Sequence, residues 1–215
     1  MDIASRIEHT NLSPTLTISD IDTLVNEARE FGFFGVCVPP FWVKRAKREI
    51  GQDKISLITV AGFPLGYNMT ETKVSEIRHA IDNGADEIDV VWNLTSFRTG
   101  LPWTKIEMAK CGKECHDRQK TFKVIIETVY LSDAEIVKAC KICADAGADF
   151  IKTSTGYASV GATNGQIRLM RTELPSSVGI VAFEELKNRE HALAMIDAGG
   201  DRLGTSTAIK ILNSE

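Results

Sequence analysis

Short apolar runs alternate with longer amphipathic stretches along the chain. The apolar runs predict strands near residues 6–10, 35–38, 55–61, 87–92, 122–128, 149–154, 178–183 and 202–205. Stretches such as TISDIDTLVNEAREFG and NREHALAMIDAG predict helices between them. Eight strands that alternate with helices imply parallel pairing, and the commonest closed arrangement is the (β/α)8 TIM barrel. A doubly wound open sheet is the alternative, although no G-x-G-x-x-G motif follows a strand.

A motif of glycine, a small residue and aspartate recurs before three of the predicted strands. It reads NGADEIDVV at 83–91, AGADFIKTS at 146–154 and AGGDRLGTS at 198–206, and FGFFGVCVP at 31–39 is a looser copy. Each copy follows an amphipathic stretch, so we expect the glycine to end a helix and the next residues to form the returning strand. The fifth residue after each glycine should then face the same way in its strand: Cys37, Asp89, Lys152 and Gly204.

The lysine in DFIKTSTG, at 149–156, is the first candidate for chemistry. A buried ammonium group must be paired or lose its proton. Inward-facing polar groups near the carboxyl ends of barrel strands are typical of catalytic sites, so Asp89 and Lys152 are a candidate reacting pair. A neutral amine can form a Schiff base with a carbonyl, and a carboxylate can move the protons. A structural ion pair between them is the alternative. A shift of one residue in the strand register would turn Lys123 to the other face of its strand, so whether it also points inward stays open.

Composition narrows the class of protein. A chain of 215 residues that is 43% hydrophobic can bury one sizeable core, and we expect a single domain over residues 1–215. The net charge of −4, without a basic run, argues against nucleic acid as a partner. No run approaches 18 consecutive apolar residues and the N-terminus lacks a signal-peptide pattern, so we expect a cytosolic protein that does not bind a membrane.

The cysteines are interpreted as free thiols, because their number is odd and no export signal is evident. The spacings C-x3-C and C-x2-C lie in predicted helices, where they favour packing over zinc binding, so we predict no metal site. The five positions are Cys37, Cys111, Cys115, Cys140 and Cys143.

A family resemblance is carried by IEHTNL, GVCVPP, VAGFPLGYNMTETKVSEIRHAIDNGADEIDVVWN, FKVIIET, AGADFIKTSTGY and AGGDRLGTST. On these segments the chain resembles the class I, metal-independent deoxyribose-phosphate aldolases. The resemblance implies a TIM barrel that cleaves 2-deoxy-D-ribose 5-phosphate reversibly to acetaldehyde and glyceraldehyde 3-phosphate, without a cofactor. The implied partner is a small aldehyde or sugar phosphate. The oligomeric state stays open, and a homo-oligomer is one of the alternatives.

The resemblance also implies residue roles. Lys152 matches the Schiff-base lysine and Asp89 the aspartate of the proton relay. Lys123 matches a lysine near the site, Cys37 a strand cysteine close to the pocket, and Glu8 stands where the family commonly has aspartate. The family holds the substrate phosphate with backbone N–H groups and hydroxyls beside a helix N-terminus. The matching positions are Gly156, Gly204, Ser206 and Thr207.

The strand near 178–183 departs from the family. Its usual run is Val-Gly-Val-Lys-Ala-Ser-Gly-Gly, and this chain has VGIVAFEE at 178–185. Val181 replaces a second catalytic lysine, and the loss of that charge is expected to raise the pKa of Lys152. Phe183, Glu184 and Glu185 replace a serine and two glycines, and two carboxylates would repel a phosphate.

Three explanations stay open. Lys187 or Lys123 supplies the missing charge, the enzyme uses a neutral or cationic aldehyde acceptor, or the chain is a weakly active or inactive relative. We predict a Schiff-base aldolase with reduced activity on the phosphorylated sugar or a shifted acceptor. The alternative is a non-catalytic barrel that binds a metabolite or a protein partner.

Overall fold

Strands and helices alternate along the part of the chain that the computed structural model describes, which is residues 2–183, 186 and 188–214. The strands are Ile7–Thr10 (β1), Gly35–Val38 (β2), Ser56–Ala61 (β3), Glu87–Val91 (β4), Thr121–Ile125 (β5), Phe150–Lys152 (β6), Gly179–Phe183 (β7) and Arg202–Thr205 (β8). The α-helices are Ile18–Phe31 (α1), Val43–Ile50 (α2), Thr70–Asp82 (α3), Leu94–Arg98 (α4), Trp103–His116 (α5), Asp133–Asp145 (α6), Asn164–Glu173 (α7), Arg189–Asp197 (α8) and Ala208–Asn213 (α9). Each strand pairs in parallel with the next and β1 pairs with β8, so the predicted TIM barrel is confirmed.

The outer faces of the strands carry the apolar core. In β4, Ile88 and Val90 are fully buried in the main hydrophobic cluster, which lies between the barrel and its helices. Glu87 and Asp89 alternate with them and face the barrel interior. The interior is therefore free to hold polar side chains. No helix within the described ranges is long and apolar enough to cross a membrane.

The repeated glycine and aspartate each have a structural role. Gly84, Gly147 and Gly199 adopt the positive φ angles expected of residues that end helices, from +86° to +114°. The aspartate two residues later accepts a hydrogen bond from a backbone N–H at the start of the preceding strand. The three bonds are from Leu57 to Asp86 at 3.2 Å, from Phe122 to Asp149 at 2.8 Å, and from Ile180 to Asp201 at 2.8 Å. The motif thus ties each new strand to its neighbour.

The strand register places inward-facing side chains in layers. The Cα pairs, followed once around the barrel from Thr10, return to β1 eight residues earlier in the chain. Residues at one height therefore advance by one position per strand, and each layer takes four side chains from alternate strands. One layer consists of Cys37, Asp89, Lys152 and Gly204, the set that the repeat predicts. The layer beneath consists of Glu8, Ile58, Lys123 and Val181, and the layer above of Thr10, Val60, Ile125 and Phe183.

Candidate active site

The centre of the candidate active site is the pair Lys152 and Asp89. Lys152 Nζ lies 2.5 Å from Asp89 Oδ2, and the two side chains are only 2% and 0% exposed. A carboxylate oxygen of Glu8 lies 3.6 Å from the same Nζ. Because β4 and β6 both contribute to one layer, the barrel itself holds the amine and the carboxylate in contact. Their catalytic roles stay predictions at this point.

Lys123 lies one layer below Asp89 and Lys152, and its side chain points into the barrel interior. Its Nζ lies 2.8 Å from Glu8 Oε1, 2.9 Å from Glu87 Oε2 and 3.0 Å from Asp89 Oδ1. Burial opposes the charged form, but the three carboxylates outweigh it and raise the pKa of Lys123 above its ordinary value. This lysine is therefore a fixed cation that orients Asp89 and Glu8.

Arg202 completes a buried network of charges. Its guanidinium nitrogen lies 2.8 Å from Glu87 and 3.3 Å from Glu8, and the group stacks between the rings of Phe34 and Phe150 at 3.7 and 4.1 Å from their centroids. Three cations meet three carboxylates in the described part of the interior: Lys123, Lys152 and Arg202 with Glu8, Glu87 and Asp89. The network is therefore neutral when every group is charged.

This balance keeps Lys152 protonated at rest. Burial lowers the pKa of the ammonium group, but the carboxylate of Asp89, with a smaller contribution from that of Glu8, raises it above its ordinary value. Repulsion from Lys123 acts in the opposite direction and is weaker. Val181 pairs with Lys152 in register and adds no charge. The amine must therefore lose a proton before it can attack a carbonyl, and Asp89 is the base in contact with it.

Cys37 lies in the same layer as the reacting pair. It is fully buried and packs with Ile58 and Val60 in a small apolar cluster. Burial raises the pKa of its thiol to about 12, so the sulfur is neutral and serves as packing. All five cysteines are free and buried. Among the described residues, no group of three or more His, Cys, Asp and Glu side chains could hold a metal ion.

Two glycines that the resemblance assigns to phosphate binding contact an aromatic ring instead. Phe183 ends β7, and its ring packs against both Gly156 and Gly204. A Cβ atom at Gly156 would lie 2.6 Å from a ring carbon, and a Cβ at Gly204 would also collide with the ring. The ring centroid lies 4.9 Å from Lys152 Nζ. Phe183 therefore fills the space between the two glycines and covers the amine on that side.

The two hydroxyl residues of the predicted phosphate site lie elsewhere on the rim. Ser206 is exposed and lines a shallow pocket with Asp20 and Glu27, whose carboxylates do not suit an anion. Thr207 Oγ1 donates to the Leu186 carbonyl at 3.0 Å. Their role in binding phosphate stays a prediction. Glu184, Glu185 and Lys187, to which the sequence gives a part in this site, lie outside the described residues.

An apolar cleft opens at the other side of the barrel mouth. Its volume is about 510 Å³, and Val60 of the upper interior layer is one of its walls. Tyr157 closes one end, where its ring meets Phe63 edge-on at 5.4 Å and its hydroxyl donates to the Leu12 carbonyl at 2.9 Å. The remaining lining residues are Ser13, Pro14, Leu16, Pro39, Pro40, Phe41, Trp42, Gly62 and Glu76.

Sequence reasoning missed Glu87, Arg202 and the cleft. Glu87 and Arg202 each stand two residues before a residue that the repeat singles out, and a period of two is the signal for the same face of a strand. The cleft had no such signal, because loops that follow different strands form it.

Comparisons with known proteins agree on the family and the fold. The DeoC/LacD family aldolase model matches residues 3–178 and ends just before β7. Deoxyribose-phosphate aldolase from Thermococcus gammatolerans is 44% identical over 99% of this chain and 96% of its own length. The structure of QR15, an aldolase, has a TM-score of 0.93 with 39% identity over 98% of this chain and 94% of its own. The structure described as a unique tetrameric deoxyribose phosphate aldolase from Aeropyrum pernix has a TM-score of 0.91 with 31% identity, over 98% of this chain and 89% of its own. The chain belongs to the DeoC/LacD family of aldolases.

Proposed function

We propose that the protein is a class I aldolase of the deoxyribose-phosphate aldolase type, in which Lys152 forms a Schiff base with an aldehyde. The observation that carries the proposal is the contact of 2.5 Å between Lys152 Nζ and Asp89 in the interior layer of a TIM barrel. The relative from Thermococcus gammatolerans, which matches along nearly the whole chain, supports the substrate class. The reaction is the reversible cleavage of 2-deoxy-D-ribose 5-phosphate, and it uses side chains alone.

The first steps convert the amine of Lys152 into an iminium ion, which can accept the electron pair of the bond that breaks. Asp89 takes a proton from Lys152, and the neutral amine attacks C1 of the open-chain sugar to form a carbinolamine. Asp89 returns the proton to the carbinolamine hydroxyl, which leaves as water, so an iminium ion joins Lys152 to C1. Lys123 remains charged between its carboxylates and keeps Asp89 aimed at the reacting nitrogen.

The carbon–carbon bond then breaks. Asp89, directly or through a water molecule, takes the proton of the C3 hydroxyl, and the electron pair of the C2–C3 bond moves toward the iminium to give an enamine. Glyceraldehyde 3-phosphate leaves with C3, C4 and C5. Protonation of the enamine at C2 and hydrolysis of the resulting iminium release acetaldehyde and regenerate the amine of Lys152.

Turnover of the phosphorylated sugar is expected to be low. Val181 leaves the pKa of Lys152 raised, so little neutral amine is present near pH 7. Phe183 occupies the space between the two glycines that would approach a phosphate. The groups that form the Schiff base are therefore present, whereas binding of the phosphate is expected to be weak.

Exchange of the methyl hydrogens of acetaldehyde in D2O tests the proposal without any acceptor. Only the enamine allows this exchange to be fast, and NMR measures it directly. We expect exchange with the native protein and loss of it in Lys152→Met, in which Asp89 keeps Lys123 as a partner. The matched control is Lys141→Met, an exposed lysine of α6. The proposal would be contradicted if the native protein gave no exchange, or if Lys152→Met exchanged as fast as the native protein. A non-catalytic barrel would then be the remaining interpretation.

We also propose that the protein is a cytosolic homo-oligomer. The Aeropyrum pernix relative, described as a tetramer, supports the assembly. Sedimentation of the purified protein tests it, since a mass of 23.6 kDa would identify a monomer.

A further inference from the structure

Glu127 has a backbone conformation that glutamate rarely adopts. It lies two residues beyond the end of β5, and its φ angle of +52° is in the left-handed region. Glycine adopts this region without strain, whereas a residue with a Cβ atom is strained there. The residue is only 7% exposed, so its carboxylate must also find partners within the protein. We therefore expect a contact of this side chain that offsets both the strain and the burial.

The carboxylate of Glu127 binds the segment that follows the proposed nucleophile. The backbone N–H of Thr155 donates to its two oxygens at 3.2 and 3.3 Å, and the Thr155 hydroxyl donates to Oε2. The same hydroxyl accepts the backbone N–H of Tyr157 at 3.1 Å. Residues 153–157, which we call the β6 loop, are therefore held by a side chain from the end of β5.

The β6 loop borders the space above the reacting pair. Gly156 is exposed, and the ring of Phe183 that packs against it lies 4.9 Å from Lys152 Nζ. From there the loop reaches across the barrel mouth, because the Tyr157 hydroxyl donates at 2.9 Å to the carbonyl of Leu12, which follows β1. The strands β6 and β1 are three positions apart around the barrel. A substrate attached to Lys152 therefore passes this loop as it extends toward solvent.

The size of the substrate decides whether it reaches the β6 loop. Acetaldehyde has two carbons, and both lie next to the nitrogen of Lys152 in the enamine. The open chain of 2-deoxy-D-ribose 5-phosphate extends three carbons and a phosphate further. Gly156 has no side chain, so the backbone of the loop can approach that part of the sugar closely. The loop is therefore placed to contact the sugar phosphate but not acetaldehyde.

We infer that Glu127 is a positioning residue of this aldolase, which through Thr155 holds the β6 loop where the loop contacts the sugar phosphate beyond C2. The inference rests on the proposed function, since this contact needs a substrate attached to Lys152. Glu127 acts on the substrate through the loop alone. Its loss should therefore weaken binding of the sugar phosphate more than formation of the Schiff base with acetaldehyde.

Initial rates of modification of Lys152 test the inference. Cyanoborohydride reduces the Schiff base, and mass spectrometry follows the loss of the unmodified peptide as the concentration of acetaldehyde or of 2-deoxy-D-ribose 5-phosphate is raised. The measured quantity is the ratio of the two half-saturating concentrations, that of the sugar phosphate divided by that of acetaldehyde. We expect Glu127→Gly to raise this ratio about tenfold, the scale of a lost hydrogen bond to a charged group. Glycine adopts the positive φ angle without strain, so this variant should keep the fold.

A second test variant and a matched control locate the effect. Thr155→Val removes the hydroxyl that Glu127 binds but keeps the backbone N–H, and it should also raise the ratio. Gln119 has a φ angle of +57° and is exposed in the turn before β5, at the opposite end of the barrel. Gln119→Gly therefore relieves the same backbone strain away from the β6 loop and should leave the ratio unchanged. Melting temperatures check that each variant folds.

Three outcomes decide between the interpretations. A ratio that stays constant in the folded test variants, or that rises as much in Gln119→Gly, would overturn the inference. Equal weakening for acetaldehyde and the sugar phosphate would also overturn it, because that result indicates a general structural role for Glu127. A native protein whose Lys152 is modified by neither compound would instead remove the proposed function.

Discussion

A lysine at position 181 should restore the missing charge beside Lys152, the proposed nucleophile. Val181 is the register partner of Lys152, so its side chain enters the interior beside that lysine, one layer lower. Neighbouring strands lie about 4.8 Å apart, which brings two ammonium groups on them to about 6 Å. At an effective dielectric constant of about 20, two unit charges at that distance repel by about 3 kcal/mol. This energy corresponds to roughly a hundredfold rise in the neutral fraction of Lys152 at a given pH.

The assay is the rate at which acetaldehyde and cyanoborohydride alkylate Lys152, measured by peptide mass spectrometry over a range of pH. We expect the Val181→Lys variant to react up to about a hundredfold faster near pH 7 and its pH profile to move to lower pH. Val181→Met is the matched control, because its side chain has similar length and no charge. Melting temperatures check that both variants fold. Identical pH profiles in two folded variants would refute the reasoning about the missing charge.

Three further predictions concern Asp89, Glu8 and the free cysteines. Asp89→Asn should lower turnover by about 10²-fold or more, because the proton acceptor is lost, and reductive trapping should label Lys152 more slowly than in the native protein. Burial opposes ionisation of Glu8, but Lys123 and Lys152 lower its pKa to about 2. Its contribution to stability is therefore present above pH 4.5 and is lost as the pH falls toward 2; urea unfolding should show a loss of up to about 3 kcal/mol that is absent from Glu8→Gln. The free cysteines, such as Cys37, should react with a thiol reagent only after unfolding, because burial raises their pKa values.

Much of the fold is predictable from the sequence because its repeat has a direct physical cause. Each turn glycine needs a positive φ angle, and each following aspartate binds a backbone N–H of the neighbouring strand. Fixed spacing after such a turn fixes the face of the strand, which is why the repeat identifies the layer of Asp89 and Lys152. The position of Val181 beside Lys152 follows from the same register.

The rest of the site depends on packing that no local pattern encodes. The sequence shows that Phe183 replaces a smaller residue, but only the fold shows its ring between Gly156 and Gly204. Likewise, Lys123 is charged because three carboxylates surround it, and these come from three other positions in the interior. Sequence spacing places side chains on a face, whereas the contacts between strands decide the state of protonation.

Reductive trapping tests the central claim most directly. The protein is incubated with acetaldehyde and borohydride, digested, and its peptides are identified by mass spectrometry. Reduction of a Schiff base fixes the two carbons of acetaldehyde on the lysine nitrogen as an ethyl group. We predict that this group is found on Lys152 in the native protein and that Lys152→Met loses it. A native protein whose Lys152 stays unmodified, while exposed lysines such as Lys141 are labelled, would contradict the account.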